Sequence, residues 1–227
     1  MKKAVITGCA DGIGFSIAQE LINNGYEVYG FDIKNQRESQ KMSFYLLDIN
    51  DDAKLFDFVS HLPNIDLLVN NAARQIEKPF KENTLDEIDA VLNTNLNALI
   101  KLTNLMLNKL NEDSVIINIG SIHSELPRLN KLTYDVSKAG LDMFTKGLAL
   151  ELSPKTRVIG LNIGATMTPM NESFKNESIM THAKSKVPMK HIFLPQEIAQ
   201  VVSQLLAPAF KYMTGAIIVY DGGRSLM

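Results

Sequence analysis

The chain has 227 residues, and its 23 lysines and arginines stand against 25 aspartates and glutamates, which gives a formal net charge of −2. Hydrophobic residues make up 45% and charged residues 21%, as in ordinary globular proteins and unlike disordered or collagen-like chains. We therefore expect one domain over residues 1–227. Because no dense stripe of lysine and arginine is present, we expect no nucleic-acid partner.

The sequence also bears on location and metal binding. Cys9 is the single cysteine, so no internal disulfide can form, and a reducing cytoplasm is the expected location. No Cys/His cluster has the spacing of a zinc site, and we expect no metal. The N-terminus lacks the apolar stretch of a signal peptide and no run of 18 apolar residues occurs, so we expect neither export nor a membrane span.

Short apolar, β-branched runs alternate with longer amphipathic segments along the chain. Helical patterns lie at 12–24, 51–61, 84–110, 134–153 and 195–207, with a short or irregular link at 33–42. This alternation predicts an α/β fold: a three-layer, doubly wound parallel sheet (Rossmann fold) with helices on both faces. The seven strand candidates are KKAVITG, YEVYGFD, MSFYLLD, IDLLVNNA, SVIINIGS, TRVIGLNIG and AIIVYDGG.

Several boundaries carry turn or capping residues. Asn24-Gly25 is expected to end the first helix, Asn50 to cap the helix that starts at Asp51, and Pro195 to open the last helix. The stretch 165–194 has two prolines, four methionines and weak periodicity. We predict that it is a mobile loop or lid over the substrate.

A glycine-rich turn joins the first strand to the first helix. Gly8 permits a tight turn, Gly12 lets a pyrophosphate approach the backbone, and Gly14 allows the helix to pack closely on the strand. The helix N-terminus then offers unpaired N–H groups to the anion. The spacing is GxxxGxG rather than GxGxxG, and by itself the turn is also compatible with a purely structural role.

Acidic residues follow the second and third strands. Asp32 lies 20 residues after Gly12, where a carboxylate accepts hydrogen bonds from an adenosine ribose and repels a 2′-phosphate. Asp11 adds to this repulsion, and Lys34 is the only nearby cation. We therefore expect NAD rather than NADP, although Asp32 alone is also compatible with a solvated strand end. Asp48 ends the third strand at the same edge of the sheet.

Tyr134 and Lys138 are spaced i and i+4, which places both on one face of a helix. A lysine ammonium near the phenol is expected to lower the pKa of Tyr134 and allow it to exchange a proton. Ser121, at a strand end, would hold the same substrate oxygen. His123 either touches the substrate or lies beside the pocket. An exposed helix pair is the structural alternative for Tyr134 and Lys138.

Together these motifs make the sequence resemble the short-chain dehydrogenase/reductase family in its compact, single-domain form, over essentially the whole chain. The resemblance rests on motifs that occur in the family's order and approximate spacing. They are TGCADGIG, Asn70-Asn71-Ala72-Ala73, Asn95 in NTNLNA, Ser121 in NIGS, Tyr134 with Lys138, and Asp221-Gly222-Gly223.

The resemblance implies a catalytic tetrad and a set of cofactor contacts. Tyr134 would be the acid/base and Ser121 would position the substrate. Lys138 would modulate the pKa and bind ribose, while Asn95 would hold a water in a proton relay. Beyond Tyr134 and Lys138, the residues expected to bind the cofactor are Gly8, Asp11, Gly12, Ile13, Gly14, Asp32, Asp48, Ile49, Asn71, Gly164 and Thr168.

Three departures from the family pattern stand out. Ala73 replaces a usual glycine, so an extra methyl must fit. Ile163 replaces a usual proline, which restores an N–H near the nicotinamide site. The second and third strands are separated by only about ten residues, which leaves little room for the helix found there in most members.

We expect a soluble NAD(H)-dependent oxidoreductase that interconverts a small-molecule secondary alcohol and a ketone. The alternatives are a dinucleotide-binding regulator or sensor with little activity, and an epimerase or dehydratase, which is disfavoured because no C-terminal substrate domain is left. The resemblance implies a homodimer or homotetramer. The apolar stripe of Leu99, Leu102 and Met106 and that of Leu141 and Leu148 are either the subunit interface or part of the monomer's core.

Overall fold

A parallel seven-stranded sheet forms the centre of the protein in a computed structural model that describes residues 1–35 and 42–227. The strand order is β3-β2-β1-β4-β5-β6-β7, which confirms the predicted fold class. Most of the predicted link at 33–42 lies outside the described residues. The strands are β1 (Lys3–Thr7), β2 (Glu27–Asp32), β3 (Met42–Leu46), β4 (Ile65–Asn70), β5 (Leu110–Ser121), β6 (Thr156–Ile163) and β7 (Ile217–Tyr220).

Seven α-helices are assigned within the described residues. They are α1 (Gly12–Asn23), α2 (Asp52–His61), α3 (Leu85–Leu92), α4 (Ala98–Met106), α5 (Leu132–Leu152), α6 (Glu177–Ser185) and α7 (Pro195–Leu205). Strand order reverses between β1 and β4, because the chain crosses from one half of the sheet to the other there. In open α/β sheets, ligands bind beside the carboxyl ends of the strands at such a point.

Side-chain alternation along the strands divides the core between the two sheet faces. Ala4 and Ile6 of β1 belong to a cluster with α1 and α7, whereas Val5 points to a cluster with α2, α4 and α5. Parallel strands covered on both faces become continuous apolar runs. The predicted strands were readable for this reason.

The predicted helix over 84–110 is interrupted. A π-helical turn at Asn93–Asn97 separates α3 from α4, and a 3₁₀ turn at Leu107–Lys109 ends the segment. Such π-turns often occur at functional sites. The predicted cap at Asn50 is wrong: Asp51 caps α2, because its side chain accepts the Lys54 N–H at 3.1 Å.

The predicted boundaries at the other two helices agree with the structure. Asn24 follows the last residue of α1 and Gly25 has a φ of +82°, as expected at a helix end. Pro195 is the first residue of α7. The apolar stripes of α4 and α5 named in the sequence are used inside the monomer, since Leu99, Leu102 and Leu141 are buried.

The stretch 165–194 contains more regular structure than a loop. It holds a 3₁₀ segment at Pro169–Lys175 and the helix α6, which Asn176 caps through two backbone N–H groups. Its ends are tied together, because Met167 N–H donates to Phe193 O and Phe193 N–H donates to Ala165 O. None of the described helices is both long and apolar enough to cross a membrane.

Candidate active site

A cleft of about 960 Å³ runs along the carboxyl ends of the strands, at the point where strand order reverses. It brings together nearly all residues that the sequence singled out. Gly14 and Asn95 do not border the cleft; they lie behind its wall. The predicted site residues that border it are Gly8, Asp11, Gly12, Ile13, Asp32, Asp48, Ile49, Asn71, Ser121, Tyr134, Lys138, Gly164 and Thr168.

The glycine turn has the geometry that its spacing predicted. Gly8 and Gly12 have φ values of +66° and +57°, in the left-handed region that glycine adopts without strain. A Cβ on Gly14 would lie 2.2 Å from the Gly8 carbonyl oxygen, so only glycine fits there. A Cβ on Gly12 would instead lie 3.6 Å from Pro169 and 3.7 Å from Thr168, which are ordinary van der Waals contacts. Gly14 is therefore required for packing, and Gly12 leaves room for a ligand.

The N-terminus of α1 fits a pyrophosphate. Asp11 is the N-cap residue, but its side chain makes no capping hydrogen bond. The first N–H groups of the helix are consequently left to the cleft, and together with the helix dipole they attract an anion. The donors and the open space beside Gly12 both suit the diphosphate of a dinucleotide.

The end of β2 carries the carboxylate expected to face the adenosine ribose. Asp32 accepts the Ala10 N–H and the Lys34 N–H, each at 3.0 Å, which fixes both oxygens beside the glycine turn. Each oxygen keeps a lone pair for a ribose hydroxyl. The Lys34 ammonium lies 3.2 Å from Asp11, so this cation is neutralised by an acidic neighbour.

Asn71 stabilises the glycine turn. Its side-chain amide donates to Thr7 O at 3.0 Å and to Gly8 O at 2.9 Å. The buried Thr7 hydroxyl in turn accepts the Asn71 and Ala72 N–H groups. The sequence analysis missed Thr7; the signal was a polar residue at the end of an otherwise apolar strand.

Asp48 and Ile49 follow β3 at the same edge of the cleft. Asp48 is exposed, and one of its oxygens accepts the Asn50 N–H at 2.9 Å. Ile49 is buried in the core cluster on the α2 side and also borders the cleft. Both residues lie on the side of the cleft that holds Asp32.

Ser121, Tyr134 and Lys138 meet at the centre of the cleft. Ser121 and Tyr134 both border the cleft, and the Ser121 side chain favours the charged form of the Tyr134 phenol. The Lys138 Nζ lies 5.7 Å from the centroid of the Tyr134 ring and donates to Ile119 O at 2.9 Å. All three residues are buried, which excludes the exposed helix pair considered from the sequence.

The pKa of Tyr134 moves in the opposite direction to the sequence-based expectation. Burial raises the pKa of Tyr134 to about 12, and the hydrogen bond from Ser121 only partly offsets this. Burial also lowers the pKa of Lys138 to about 8, against a partial rise caused by Asp142. Desolvation disfavours both charged forms and outweighs the attraction between them.

Asn95 lies in the π-turn and connects the walls of the cleft from behind. Its side chain accepts the Arg74 N–H at 2.7 Å and donates to Arg74 O at 2.9 Å. The same amide nitrogen donates to the Ser137 hydroxyl at 3.0 Å, and Ser137 donates to Tyr134 O. Both amide protons are thus committed, so among the side-chain atoms only Oδ1 can take a further hydrogen bond.

Gly164 and Thr168 form the opposite wall. The Gly164 N–H donates to Tyr220 O at 2.9 Å, and a Cβ on Gly164 would lie 2.8 Å from the Cα of Asp221. Thr168 faces the glycine turn, since its Cβ lies 3.7 Å from the Cβ position of Gly12. Gly164 and Thr168, which both follow β6, thus border the same cleft.

Two departures from the family pattern are accommodated by the backbone. Ile163 continues β6, where it pairs with both Ser121 and Tyr220. Ala73 carries its extra methyl without a positive φ, because the non-glycine residues with positive φ in the described chain are Asp113, Asn130 and Lys190.

His123 borders the cleft with its ring centroid 6.3 Å from that of Tyr134. Burial lowers the pKa of His123, so the ring is neutral near pH 7. Nδ1 lies 2.9 Å from Leu126 O, which must accept the Nδ1 proton. Nε2 is then an acceptor.

Burial raises the pKa of Cys9 to about 12, as expected of a packing residue.

The residues described in the structure contain no group of three or more His, Cys, Asp or Glu side chains placed to hold a metal ion. His191 instead pairs with Glu197 at 2.8 Å.

The chain is similar to a family model and to a curated protein over almost its full length. A family model described as enoyl-(acyl carrier protein) reductase matches residues 8–225. The 3-oxoacyl-(acyl-carrier-protein) reductase FabG of Buchnera aphidicola is 32% identical over 98% of this chain and 96% of its own length.

Two solved structures show the same fold over nearly the full chain. A 3-oxoacyl-(acyl-carrier protein) reductase from Brucella melitensis in complex with NAD has a TM-score of 0.89 at 26% identity, and covers 100% of this chain and 98% of its own. A short chain dehydrogenase from Burkholderia cenocepacia in complex with NADP has a TM-score of 0.87 at 26% identity, with 98% and 97% coverage.

Proposed function

Because the chain belongs to the short-chain dehydrogenase/reductase family and is an oxidoreductase that acts on CH–OH groups with NAD(P), we propose how its own residues carry out that reaction. In this proposal the protein interconverts a secondary alcohol and a ketone, prefers NAD to NADP, and uses Tyr134 as its acid/base. The meeting of the buried residues Ser121, Tyr134 and Lys138 in the cleft is the observation that carries the assignment.

Tyr134 moves the proton. Because its pKa is about 12, it holds a proton at neutral pH and can donate it to the oxygen of a ketone. Ser121 hydrogen-bonds the same oxygen and keeps it beside the phenol. When bound, the nicotinamide supplies or accepts the hydride. Ser121 thus positions the substrate oxygen, and Tyr134 supplies the proton.

Lys138 and Asn95 support this step. The pKa of about 8 lets Lys138 exchange a proton close to neutral pH, which suits a relay behind Tyr134. Asn95 acts as a positioning residue, because its side chain fixes Arg74 on one wall and the start of α5 on the other. The Oδ1 of Asn95 remains available for a relay water.

Replacement of Tyr134 tests the proposal. Tyr134→Phe should lower kcat by at least about 10³-fold, since the proton donor is lost, while NADH affinity stays within about twofold. The matched control is Tyr212→Phe, whose ring is fully exposed. Turnover is followed by nicotinamide absorbance, and NADH binding by fluorescence titration. Near-normal turnover by Tyr134→Phe contradicts the assignment.

The preference for NAD rests on Asp32 and Asp11, since Asp11 neutralises Lys34, which among the described residues is the cation that borders the cleft beside them. Asp32→Asn removes the charge that would repel a 2′-phosphate and should shift the ratio of kcat/KM for NADH over NADPH towards NADPH by about tenfold or more. Asp57→Asn, on the exposed surface of α2, is the control. An unchanged ratio would remove Asp32 from cofactor selection.

We further propose a homodimer or homotetramer. Leu132, Val136, Met143 and Leu150 form an exposed apolar stripe along one face of α5, and Leu150 is 83% exposed. A second copy would bury it. Leu150→Glu should shift the mass measured by light scattering towards the monomer, and an unchanged mass would count against this face. The cytoplasmic location stays a prediction from the sequence.

A further inference from the structure

Charge is unevenly distributed along the cleft. Among the described residues, the acidic members of its wall are Asp11, Asp32 and Asp48, and all three follow β1, β2 or β3. The wall beyond β4 carries no acidic residue. Besides Lys138, the cations that border this second half are Arg74, Arg128, Lys131, Lys186 and Arg224.

One side chain holds the backbone of Arg74 on both sides. The Asn95 side chain holds both its N–H, at 2.7 Å, and its carbonyl, at 2.9 Å. Through Ser137, the same amide is connected to the backbone of Tyr134. These bonds therefore fix the position of the Arg74 backbone relative to Tyr134. Within the described part of the chain, this guanidinium makes no hydrogen bond or ion pair.

Arg128 and Lys131 lie just before the helix that carries Tyr134 and share one carboxylate. Glu77 lies 3.3 Å from each cation, and with Asp135 it balances the charge of the pair. Asp135 lies close to them and accepts the Arg128 N–H at 2.9 Å. Both carboxylates lie behind the cleft wall, because neither borders the cleft.

Lys186 and Arg224 complete the second half from two other segments. Lys186 follows α6, and Arg224 follows the Asp221-Gly222-Gly223 turn. The two segments are joined, because Met189 N–H donates to Gly222 O. Asp221, the acidic residue beside Arg224, accepts the Gly223 and Ser225 N–H groups. Neither cation has a carboxylate partner in the described structure.

We propose that the substrate of this enzyme is an anionic hydroxy or oxo compound whose carboxylate or phosphate lies against Arg74, with Lys186 and Arg224 closing over it. This inference rests on the proposed function, because it concerns the same cleft. A concave wall of one charge sign concentrates ligands of the opposite sign. A guanidinium binds carboxylates and phosphates in the same two-pronged geometry, so both belong to one chemical class.

The apolar part of the same wall sets the shape of the remaining substrate. Phe174 and Ile179 border the cleft from the segment that carries α6. A small substrate with its anionic group at Arg74 and its reacting oxygen at Tyr134 would contact both the cations and these apolar side chains. The charge of the protein as a whole does not explain this pattern, since the net charge is −2.

Matched substrate pairs test the proposal on the full-length enzyme. Glycerol 3-phosphate is compared with glycerol, and 3-hydroxybutyrate with its methyl ester, with NAD in excess. The anionic member of at least one pair should have a kcat/KM about tenfold or more above its neutral partner. Arg74→Gln should reduce that advantage about tenfold. Lys184→Gln, on α6 but outside the cleft wall, should leave it unchanged.

A binding measurement separates this inference from the proposed function. Inorganic phosphate and acetoacetate are titrated calorimetrically into the NAD complex, in which a ketone cannot be reduced. At least one should bind, more weakly at high salt, and Arg74→Gln should weaken it about tenfold without changing NADH affinity. If neither anion binds, if Arg74→Gln has no effect, or if it impairs NADH binding, the anion site is wrong. Tyr134-dependent turnover that favours neutral compounds overturns the inference and leaves the proposed function standing.

Discussion

The two halves of the cleft are built in different ways. The half beside β1, β2 and β3 is made from short segments near one another in sequence, and its features are backbone geometry and carboxylates. The half beyond β4 is assembled from segments that lie far apart in the chain, and its features are the buried residues Asn95, Ser121, Tyr134 and Lys138 and several cations along the wall. The first half therefore leaves short motifs in the sequence, although Asn71 supports its glycine turn from across the sheet, whereas the second half has no such motif for most of its contacts.

The first prediction concerns the glycine turn in the half of the cleft beside β1, β2 and β3. Gly14→Ala places a Cβ 2.2 Å from the Gly8 carbonyl, so the turn must open. We expect NADH affinity to fall at least about 100-fold and the free energy of unfolding to fall by about 2–3 kcal/mol. Fluorescence titration and urea unfolding measure the two quantities.

Gly12→Ala is the matched variant in the same turn. Its Cβ would contact Pro169 at 3.6 Å without a clash, so strain at positive φ should cost only about 1 kcal/mol of stability, although the methyl would stand where we expect the pyrophosphate. Equal loss of stability in both variants would show that the two glycines do not have the separate roles assigned to them.

The second prediction concerns Asn95 in the half of the cleft beyond β4. Asn95→Ala leaves the Arg74 N–H and carbonyl without partners behind the cleft. We expect kcat to fall about 10- to 100-fold and the free energy of unfolding to fall by about 2 kcal/mol. Asn97→Ala, exposed in the same π-turn, should change both by little. A stability loss with unchanged kcat would reduce Asn95 to a structural residue.

A smaller effect sharpens the difference in charge between the halves. Asp11→Ala releases Lys34 from its ion pair, so a cation becomes available near Asp32. Use of NADPH should rise about three- to tenfold in kcat/KM relative to NADH, since a 2′-phosphate meets less repulsion. Lys54→Ala, which breaks an exposed ion pair on α2, serves as the control. No change in the ratio would mean that Lys34 does not reach the cofactor.

The last prediction concerns the titration of Tyr134 in the folded protein. Because burial raises the pKa of Tyr134 to about 12, the folded, cofactor-free protein should hold this proton more tightly than the unfolded chain. The difference in tyrosinate absorbance between wild type and Tyr134→Phe should stay flat up to pH 10.0, the ordinary pKa of tyrosine, and rise only above it. In denaturant the same difference should titrate near 10.0. A midpoint near neutral pH in the folded protein would show that Lys138 outweighs burial.

Local signals predicted much of the fold and half of the site. Apolar strands and amphipathic helices are readable because parallel strands are buried on both faces. Gly8 and Gly14 were assigned correctly, since a positive φ and a close contact within one turn leave a glycine pattern in the sequence. The interruption of the helix over 84–110 was missed, because a π-turn has no distinctive composition.

Interactions across the sheet were not predictable in the same way. The pKa of Tyr134 was expected to fall from its spacing to Lys138, yet burial raises it, and burial is a property of the packed core. The bonds from Asn95 to Arg74 span 21 residues, and those to Ser137 span 42. No local pattern encodes such pairs.

By itself, the sequence determined the α/β class, the glycine turn, the carboxylates that follow the first three strands and the helical spacing of Tyr134 and Lys138, because each is written in a short stretch of the chain. Only the tertiary structure decided which groups share the cleft and which side chains lose water. It placed Arg74, Lys186 and Arg224 on one wall and left the three cleft carboxylates at the other end. Charge in a sequence has a sign and a position in the chain, whereas the field in a cleft depends on which distant residues folding brings together.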